Sequence, residues 1–447
     1  MDTQISYRRK SHQDLQIAIC CALIWIPLPL GSNRPWSTGL VIAIISAIGF
    51  VWAIRRWKQA TKNSAALTKA KPAILALVTA QLLVAVQYFG GLSLAPSETF
   101  NHLLLGSAYT LLFVLVLDLF TTRKSINLLL GTVVISGTFQ AFYGSTMALS
   151  GLEWSFFATK EYMQGLATGT FVNRNHLAGY LEITAACGIG LLLALRDHRT
   201  LSLKSIIDWI SGPKALIRIA LAIMVIGLVM TRSRMGNVAF VASMIFTGGI
   251  LAIGIPKLRL KLLVILTSLL IIDFLIVTQY FGLDELQARL ANTQFDDKII
   301  AGEVLAKQNV IRDDVIGYAS VLLKKHALSG SGAGSFEVIF PSVAGPNITR
   351  HFTHAHNDYM QFAIEYGVLG AAIFMCFFLF TFYHGIRALL LTNSSYRSGI
   401  GFACVMGMTA IAIHSFADFN LQIPANAATF TVLSTLGLLA RFHTRQD

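Results

Sequence analysis

The 447-residue sequence is poor in charge and in cysteine. Charged residues make up 13% of the chain, against about 25% in an average soluble domain, and hydrophobic residues make up 55%. This balance excludes an ordinary water-soluble globular protein. The five cysteines lie in apolar stretches without a C-x-x-C spacing, so neither a disulfide framework nor a zinc site is expected.

Long apolar runs recur along the whole chain, and each is long enough, or nearly so, to cross a hydrocarbon core of about 30 Å as a helix. We therefore predict an all-α polytopic membrane protein. Its twelve predicted spans lie near 15–30, 38–54, 72–89, 103–120, 126–149, 176–195, 215–231, 235–255, 262–281, 361–384, 399–416 and 425–440. The first run also fits a signal peptide, but no small-x-small cleavage site follows it, so we predict an anchor.

The net charge of +13 raises the question of a nucleic-acid partner. Most of the 35 Lys and Arg residues lie in the N-terminal tail and in alternate loops between the predicted spans. This distribution is typical of a membrane protein with both termini in the cytoplasm, and an even number of spans agrees with it. We therefore expect a bacterial inner-membrane protein and no nucleic-acid partner.

A single membrane domain, 1–447, is predicted, with one long outward loop at 282–360 between the ninth and tenth spans. Loops of this length are usually functional or disordered. From Glu303 to Ala327, apolar residues recur at three- and four-residue spacing, which predicts an amphipathic helix and an ordered periplasmic lid. The apolar positions are Ile311, Val315, Tyr318, Ala319 and Leu322.

The stretch Gly169–His176 lies at the outward mouth of the sixth predicted span and places Arg174 and Asn175 at the start of a helix. Free backbone N–H groups and the helix dipole favour an anion there. A simple interfacial cap, with Asn175 starting the helix, is the alternative. Glu182 shares the helix face of Asn175 and is either a site carboxylate or the partner of a neighbouring Ser or Arg.

The stretch Thr231–Gly236 forms a tight outward turn that contains Arg232 and Arg234. The positive-inside rule disfavours arginine on this side of the membrane. Guanidinium groups bind phosphate through paired hydrogen bonds, so two of them around one serine indicate a diphosphate site. A stray pair of surface charges is the alternative.

Arg312 lies in the predicted outward helix and is followed by the turn Gly330-x-Gly332-x-Gly334. A glycine-rich turn raises the question of nucleotide binding. No Lys-Ser or Lys-Thr completes a P-loop, so we predict that the turn serves close packing.

Three histidines lie in the segment His351–Tyr359, just before the tenth predicted span. Their H-x-x-H-x-H spacing is not a common zinc spacing, so no metal is expected. An imidazole with a pKa near 6.5 can take a proton from an attacking hydroxyl near neutral pH. His356 is therefore the candidate general base, with His354 and Asn357 beside it; capping of the span is the alternative.

The order of these motifs resembles the O-antigen ligase and polymerase family. The stretch H-N-D-Y-x-Q-x-x-x-E-x-G-x-x-G is present as His356–Gly370. Upstream stand G-T-F-x-N-R-N-H at Gly169–His176, S-R-x-G at Ser233–Gly236 and the R…G-x-G run at Arg312–Gly334. The resemblance spans most of the chain.

The resemblance implies a glycan linked to undecaprenyl diphosphate as the donor, and an inverting transferase that needs neither metal nor cofactor. It also implies His356 as the base. The diphosphate ligands that it implies are Arg174, Arg234 and Arg312. Arg232 and His354 stand beside the expected residues as a second Arg and a second His, so which member of each pair is essential stays open.

The acceptor decides the exact activity. A lipid A core, another growing glycan or a protein hydroxyl would make the protein a ligase, a polymerase or a protein glycosyltransferase; a ligase is the first prediction and a polymerase the alternative. A transporter or flippase also fits twelve spans, but such proteins usually carry ionisable groups at the midplane of broken helices. Here Asp273 is the one carboxylate predicted near a span centre, which favours an enzyme.

Overall fold

The computed structural model describes most of the chain. The described residues are 2–59, 62–157, 159–195, 212–255, 310–345 and 351–443, with short stretches at 259–260, 263–264, 267–268, 271, 298–300, 303–305 and 348. The predicted ninth span, 262–281, lies largely outside them, and so does most of the loop before residue 310.

The described part of the chain is mainly helical. Its helices are α1 Asp2–Trp25, α2 Pro35–Gln59, α3 Ala65–Lys69, α4 Lys71–Phe89, α5 Pro96–Leu119, α6 Arg123–Ser150, α7 Arg174–Ala194, α8 Pro213–Met230, α9 Arg234–Gly254, α10 Val310–Lys325, α11 Phe336–Ile339, α12 Asp358–Leu389, α13 Ser395–His414 and α14 Pro424–Phe442. Short 3-10 helices cover Leu30–Ser32, Phe340–Ser342 and Asn420–Gln422. Two strands, β1 Lys298–Ile300 and β2 Glu303–Leu305, pair antiparallel.

Eight of the described helices, α2, α4, α5, α6, α7, α9, α12 and α13, are long and apolar enough to cross a membrane. The predicted multi-pass architecture is confirmed at that level. Eleven predicted spans each coincide with a described helix, whereas the total of twelve and the cytoplasmic termini stay predictions. The first span was predicted to reach residue 30, but α1 ends at Trp25 because Pro27 and Pro29 cannot continue its hydrogen-bond ladder.

Helix α7 lies at the centre of the bundle, and its apolar window is wholly enclosed by other helices. It packs most extensively against α13. An added Cβ at Gly190 would lie 2.5 Å from the carbonyl oxygen of Gly399 and 2.6 Å from Cβ of Ala403. Small residues thus let the two backbones approach closely, as is usual where the surrounding lipid provides no hydrophobic drive for association.

The outward helix was predicted from Glu303 to Ala327, but α10 begins at Val310, and Glu303 belongs to the strand β2. Its apolar face is confirmed: Val315, Ala319 and Leu322 are buried. They form a small cluster with aromatic residues of the following turn. Because α10 also packs against α12, this part of the loop is joined to the bundle.

Helix α12 is broken at Gly367, which has φ 70° and ψ 173°. The break frees the carbonyl groups of Ile364 and Glu365, which accept from the backbone N–H groups of Ser331 and Gly332 at 2.9 and 3.1 Å. A Cβ at Gly330 would lie 2.2 Å from the Glu365 carbonyl oxygen. The predicted close-packing role of the glycine-rich turn is therefore confirmed.

We expect Gly367→Ala to lower stability by about 2 kcal/mol or more, because an alanine at this backbone conformation is strained and its Cβ would lie 2.3 Å from the carbonyl oxygen of Leu328. The measurement is thermal unfolding of the purified protein in detergent. Gly249→Ala in α9 is the matched control, since its Cβ would meet nothing within 4 Å. Equal melting temperatures for the two variants would contradict the expectation.

Candidate functional site

The predicted motifs meet at one end of the bundle. The backbone N–H of Asp358, at the start of α12, donates to the carbonyl of Ser415, just past the end of α13. The side chain of Asn175, at the start of α7, donates to Asp418 in the same segment, 415–423, which we call the Asp418 turn. The starts of α7 and α12 and the end of α13 therefore lie together.

Helix α7 begins at Arg174, two residues before the predicted span. Its N-cap is Asn173, whose side chain accepts from the backbone N–H of Asn175 at 2.9 Å. Asn175 is therefore not the cap, and its own amide is directed to Asp418 instead. Arg174, the first residue of the helix, is half-buried, and the helix dipole favours an anion at this end.

Asp418 is the buried charge of the site, and the sequence pattern did not single it out. His176 Nε2 and His356 Nδ1 each lie 3.8 Å from its Oδ1 atom, and the Phe419 N–H donates to the same oxygen at 2.9 Å. Burial alone would raise the pKa of Asp418, but the imidazoles of His356, His176 and His414 hold it well below its usual range. Asp418 is therefore ionised. In the sequence, only its position as a carboxylate directly after the eleventh predicted span could have indicated Asp418.

Phe419 brings three imidazoles together. Its ring stacks on His354 with centroids 4.2 Å apart, and it makes edge contacts with His176 at 4.6 Å and His356 at 4.9 Å. His356 has φ 52°, a left-handed conformation that is uncommon for histidine outside turns and functional sites. The imidazoles are thus held by an aromatic ring on one side and by Asp418 on another.

The side chains of Asn357 and Asp358 both form hydrogen bonds within the protein. Asn357 caps α12 by accepting from Met360 N–H at 3.0 Å, and its amide donates to the Phe416 carbonyl at 3.1 Å. Asp358 accepts from Ser415 Oγ at 2.8 Å and from Leu421 N–H at 3.1 Å. The side chain of Asn357 thus fastens the Asp418 turn to α12, and its contact with substrate stays a prediction.

Glu182 has a hydrogen-bond partner inside the protein, and its contact with substrate stays a prediction. It is fully buried and accepts a hydrogen bond from His414 Nδ1 at 2.7 Å, so its structural partner is a histidine and not the Ser or Arg that we had considered. A Cβ at Gly236 would lie 3.1 Å from its Oε1 atom. Glu182 therefore lies where α7, α9 and α13 pack together.

The second arginine motif begins α9. Ser233 is the N-cap and accepts from Gly236 N–H at 3.3 Å, while Arg232 adopts a left-handed φ of 53°. Gly236 lies against Ala178 of α7, since a Cβ there would be 2.7 Å from the Ala178 Cβ. The exposed Arg234 at the start of α9 therefore lies at the same end of the bundle as the start of α7.

Arg312 belongs to α10 by its backbone, but its side chain lies outside the described residues. Of the three arginines expected to bind diphosphate, the structure thus places two, both at the starts of neighbouring helices. Helix α10 packs against α12, which agrees with a position of α10 near the end of the bundle where α7 and α9 begin.

A cavity of about 320 Å³ lies beside the Asp418 turn, between α4, α5, α12 and α14. Asp358, Ser415 and His102 form part of its wall, and the rest is mostly apolar, with Phe374 and Phe378 among its aromatic residues. Helix α9 packs against α7 and α13 and not on this side. Helix α13 therefore has the cavity on one side and the arginine-bearing turn before α9 on another.

Residues 219–375 match the family model described as O-antigen ligase. This region is therefore similar to the O-antigen ligase family. Three of the four motifs lie inside the matched region, which runs from α8 to the part of α12 just past its break; Gly169–His176 lies before it. A comparison with curated proteins finds no match. The match supports a membrane glycan-processing enzyme of the O-antigen ligase or polymerase type, as the motif order predicted.

We expect Asp418→Asn to lower transfer by about 10²-fold or more, because the amide removes the negative charge that faces two imidazoles. The measurement is glycan transfer by equal amounts of protein in washed membranes. Asp14→Asn is the control, since Asp14 pairs with Arg55 on the exposed surface and such pairs contribute little. A normal rate for Asp418→Asn at a normal protein level would show that the charge is not needed.

Proposed function

We propose that this protein transfers a glycan from undecaprenyl diphosphate to an acceptor hydroxyl on the periplasmic face of the inner membrane. The transfer is inverting and needs no metal. One observation carries the proposal: the arginine-bearing starts of α7 and α9 lie at the same end of the bundle as the His356–Asp418 pair. An anion site beside an oriented imidazole suits a reaction in which a diphosphate leaves and a hydroxyl is deprotonated.

The diphosphate binds at the two helix starts. Arg174 and Arg234 each stand at a helix N-terminus, where the helix dipole adds to the positive charge. Arg312 on α10 and Arg232 in the turn complete the cationic surface. These groups neutralise the charge that grows on the diphosphate as the bond between it and the sugar C1 breaks.

His356 acts as the general base. Its Nδ1 atom faces Asp418, so Nε2 is the atom that receives the proton of the acceptor hydroxyl. The hydroxyl oxygen forms the new bond to C1 as the C1–oxygen bond to the diphosphate breaks. Because the attack comes from the side opposite to the leaving group, the anomeric configuration is inverted.

The acceptor approaches from the cavity side of α13. An in-line displacement requires acceptor and diphosphate on opposite faces of the sugar, and the cavity lies away from the arginine-bearing turn before α9. Its polar residues lie next to the Asp418 turn, and its apolar walls suit a hydrocarbon chain. A lipid-anchored acceptor, such as a lipid A core or a lipid-linked glycan, fits these walls better than a protein hydroxyl.

We expect His356→Ala and Arg234→Ala each to lower transfer by about 10²-fold or more at a normal protein level, since the first removes the base and the second a diphosphate ligand. Transfer is measured as release of undecaprenyl diphosphate and formation of the glycosidic bond. Arg387→Ala, in the last turn of α12, is the matched arginine control. Transport of the lipid-linked glycan without any new glycosidic bond would favour a flippase instead.

We expect Ala371→Trp to weaken binding of the acceptor and to leave binding of the donor unchanged, because Ala371 lines the cavity. Excluding as few as two methylene groups weakens binding by about tenfold, so KM for the acceptor should rise by at least that factor. The neighbouring Ala372→Trp is the control, since Ala372 is exposed and does not line the cavity. A rise in KM for the donor instead would assign the cavity to the donor chain.

A further inference from the structure

The two histidines of the H-x-H segment face partners of opposite kinds. His356 Nδ1 lies 3.8 Å from a carboxylate oxygen of Asp418, whereas His354 Nδ1 lies 3.1 Å from the side-chain nitrogen of Gln361. A neutral imidazole carries one proton, on one of two nitrogens, and its partner decides which. The two partners therefore favour opposite tautomers of the two imidazoles.

The orientation of the Gln361 amide follows from the backbone. The N–H of Ala355 can only donate, and it lies 3.1 Å from the oxygen of the Gln361 side chain. The amide NH₂ group must then face the other way, toward His354 Nδ1 and toward Glu365 Oε1 at 2.9 Å. An NH₂ group has no acceptor lone pair to offer, so His354 Nδ1 has to accept.

Glu365 holds this amide in place from the far side. Its carboxylate accepts from the backbone N–H groups of Gly334 at 3.0 Å and Phe336 at 3.3 Å, in the turn that packs into the break of α12. The hydrogen bonds therefore run in one direction, from Gln361 outward to both Glu365 and His354. A flip of the amide would set its oxygen against the Glu365 carboxylate and its NH₂ group against the Ala355 N–H.

We propose that Gln361 and Glu365 lock His354 as a neutral imidazole whose Nε2–H donates a hydrogen bond to an oxygen of the bound substrate. The identity of that substrate rests on the proposed function. His354 is half-buried, and within the described part of the chain its Nε2 atom meets no acceptor. Burial, together with the neighbouring imidazoles of His176 and His356, lowers the pKa of His354, which keeps the ring uncharged.

The lock assigns different roles to the two histidines. His356, with Asp418 at Nδ1, presents an acceptor at Nε2 and serves as the base. His354, with Gln361 at Nδ1, presents a donor at Nε2 and stabilises charge on the substrate. Gln361 and Glu365 act through His354 and are positioning residues.

Two amide substitutions test the roles, because glutamine places its amide near the Nε2 position of histidine and asparagine near the Nδ1 position. We expect His354→Gln to keep transfer within about threefold of the unsubstituted protein and His354→Asn to lose about tenfold or more. His356→Gln should lose about 10²-fold or more, since an amide is no base. His351→Gln and His351→Asn are the controls, because His351 pairs with exposed Glu337 outside the site.

Transfer is measured with purified variants added to washed membranes of a strain that lacks the protein, which supply unreacted donor and acceptor. Equal rates for His354→Gln and His354→Asn would overturn the donor role of Nε2. A His354→Gln loss as large as that of His356→Gln would overturn it as well, because it would show that His354 is the base.

The tautomer itself is read by NMR of protein with ¹⁵N-labelled histidine, with the His354 signal assigned from its loss in His354→Gln. We expect a protonated Nε2 and an unprotonated Nδ1 at neutral pH, and a shift of this signal in Gln361→Leu. A protonated Nδ1, or a signal unmoved by Gln361→Leu, would overturn the lock. This readout needs no substrate, so its failure is distinguishable from failure of the proposed transfer.

Discussion

The site depends on one buried carboxylate. Asp418 lies between helices in a place where an uncompensated charge would be strongly unfavourable, so its oxygens must be met by donors and by cationic groups. Asn175 donates to one oxygen, and the imidazoles of His176 and His356 lie 3.8 Å from the other. These three residues come from the start of α7 and the segment before α12. The need to compensate this charge therefore fixes where separate parts of the chain come together.

Most of the motif that identifies the family serves the interior of the protein. Asn357 and Asp358 fasten the Asp418 turn, Glu365 is surrounded by backbone donors, and Gly367 breaks the helix so that the glycine-rich turn can pack into it. What remains available for substrate in this segment is mainly its pair of imidazoles. The motif is thus a frame that sets the orientation of His354 and of His356.

The arrangement of charge and apolar surface around α13 suits a displacement at a lipid. Positive helix ends with their arginines lie on the α7 and α9 side, and a mostly apolar cavity lies on the α4 and α5 side. Their separation provides two routes that meet at the imidazoles. Glu182 and His414, buried between α7 and α13, join these two helices through a hydrogen bond.

The sequence by itself determined the membrane class, the position of eleven helices and the identity of the motif residues. Hydrophobic run length and charge asymmetry are local properties, and a bilayer accepts few structures other than helices. The same reasoning singled out His356, Arg174 and Arg234 as candidates, because these side chains carry a chemistry that can be recognised one residue at a time.

Only the tertiary structure decided which polar side chains have partners inside the protein. Glu182, Asn175 and Asn357 looked like site residues in the sequence, yet each has a partner more than 50 residues away that occupies it. The sequence did not single out Asp418 and Phe419, because their importance comes from the residues that surround them in the folded protein. Hydrogen-bond partners on different helices depend on how the helices pack, and the spacing of residues along the chain does not predict that packing.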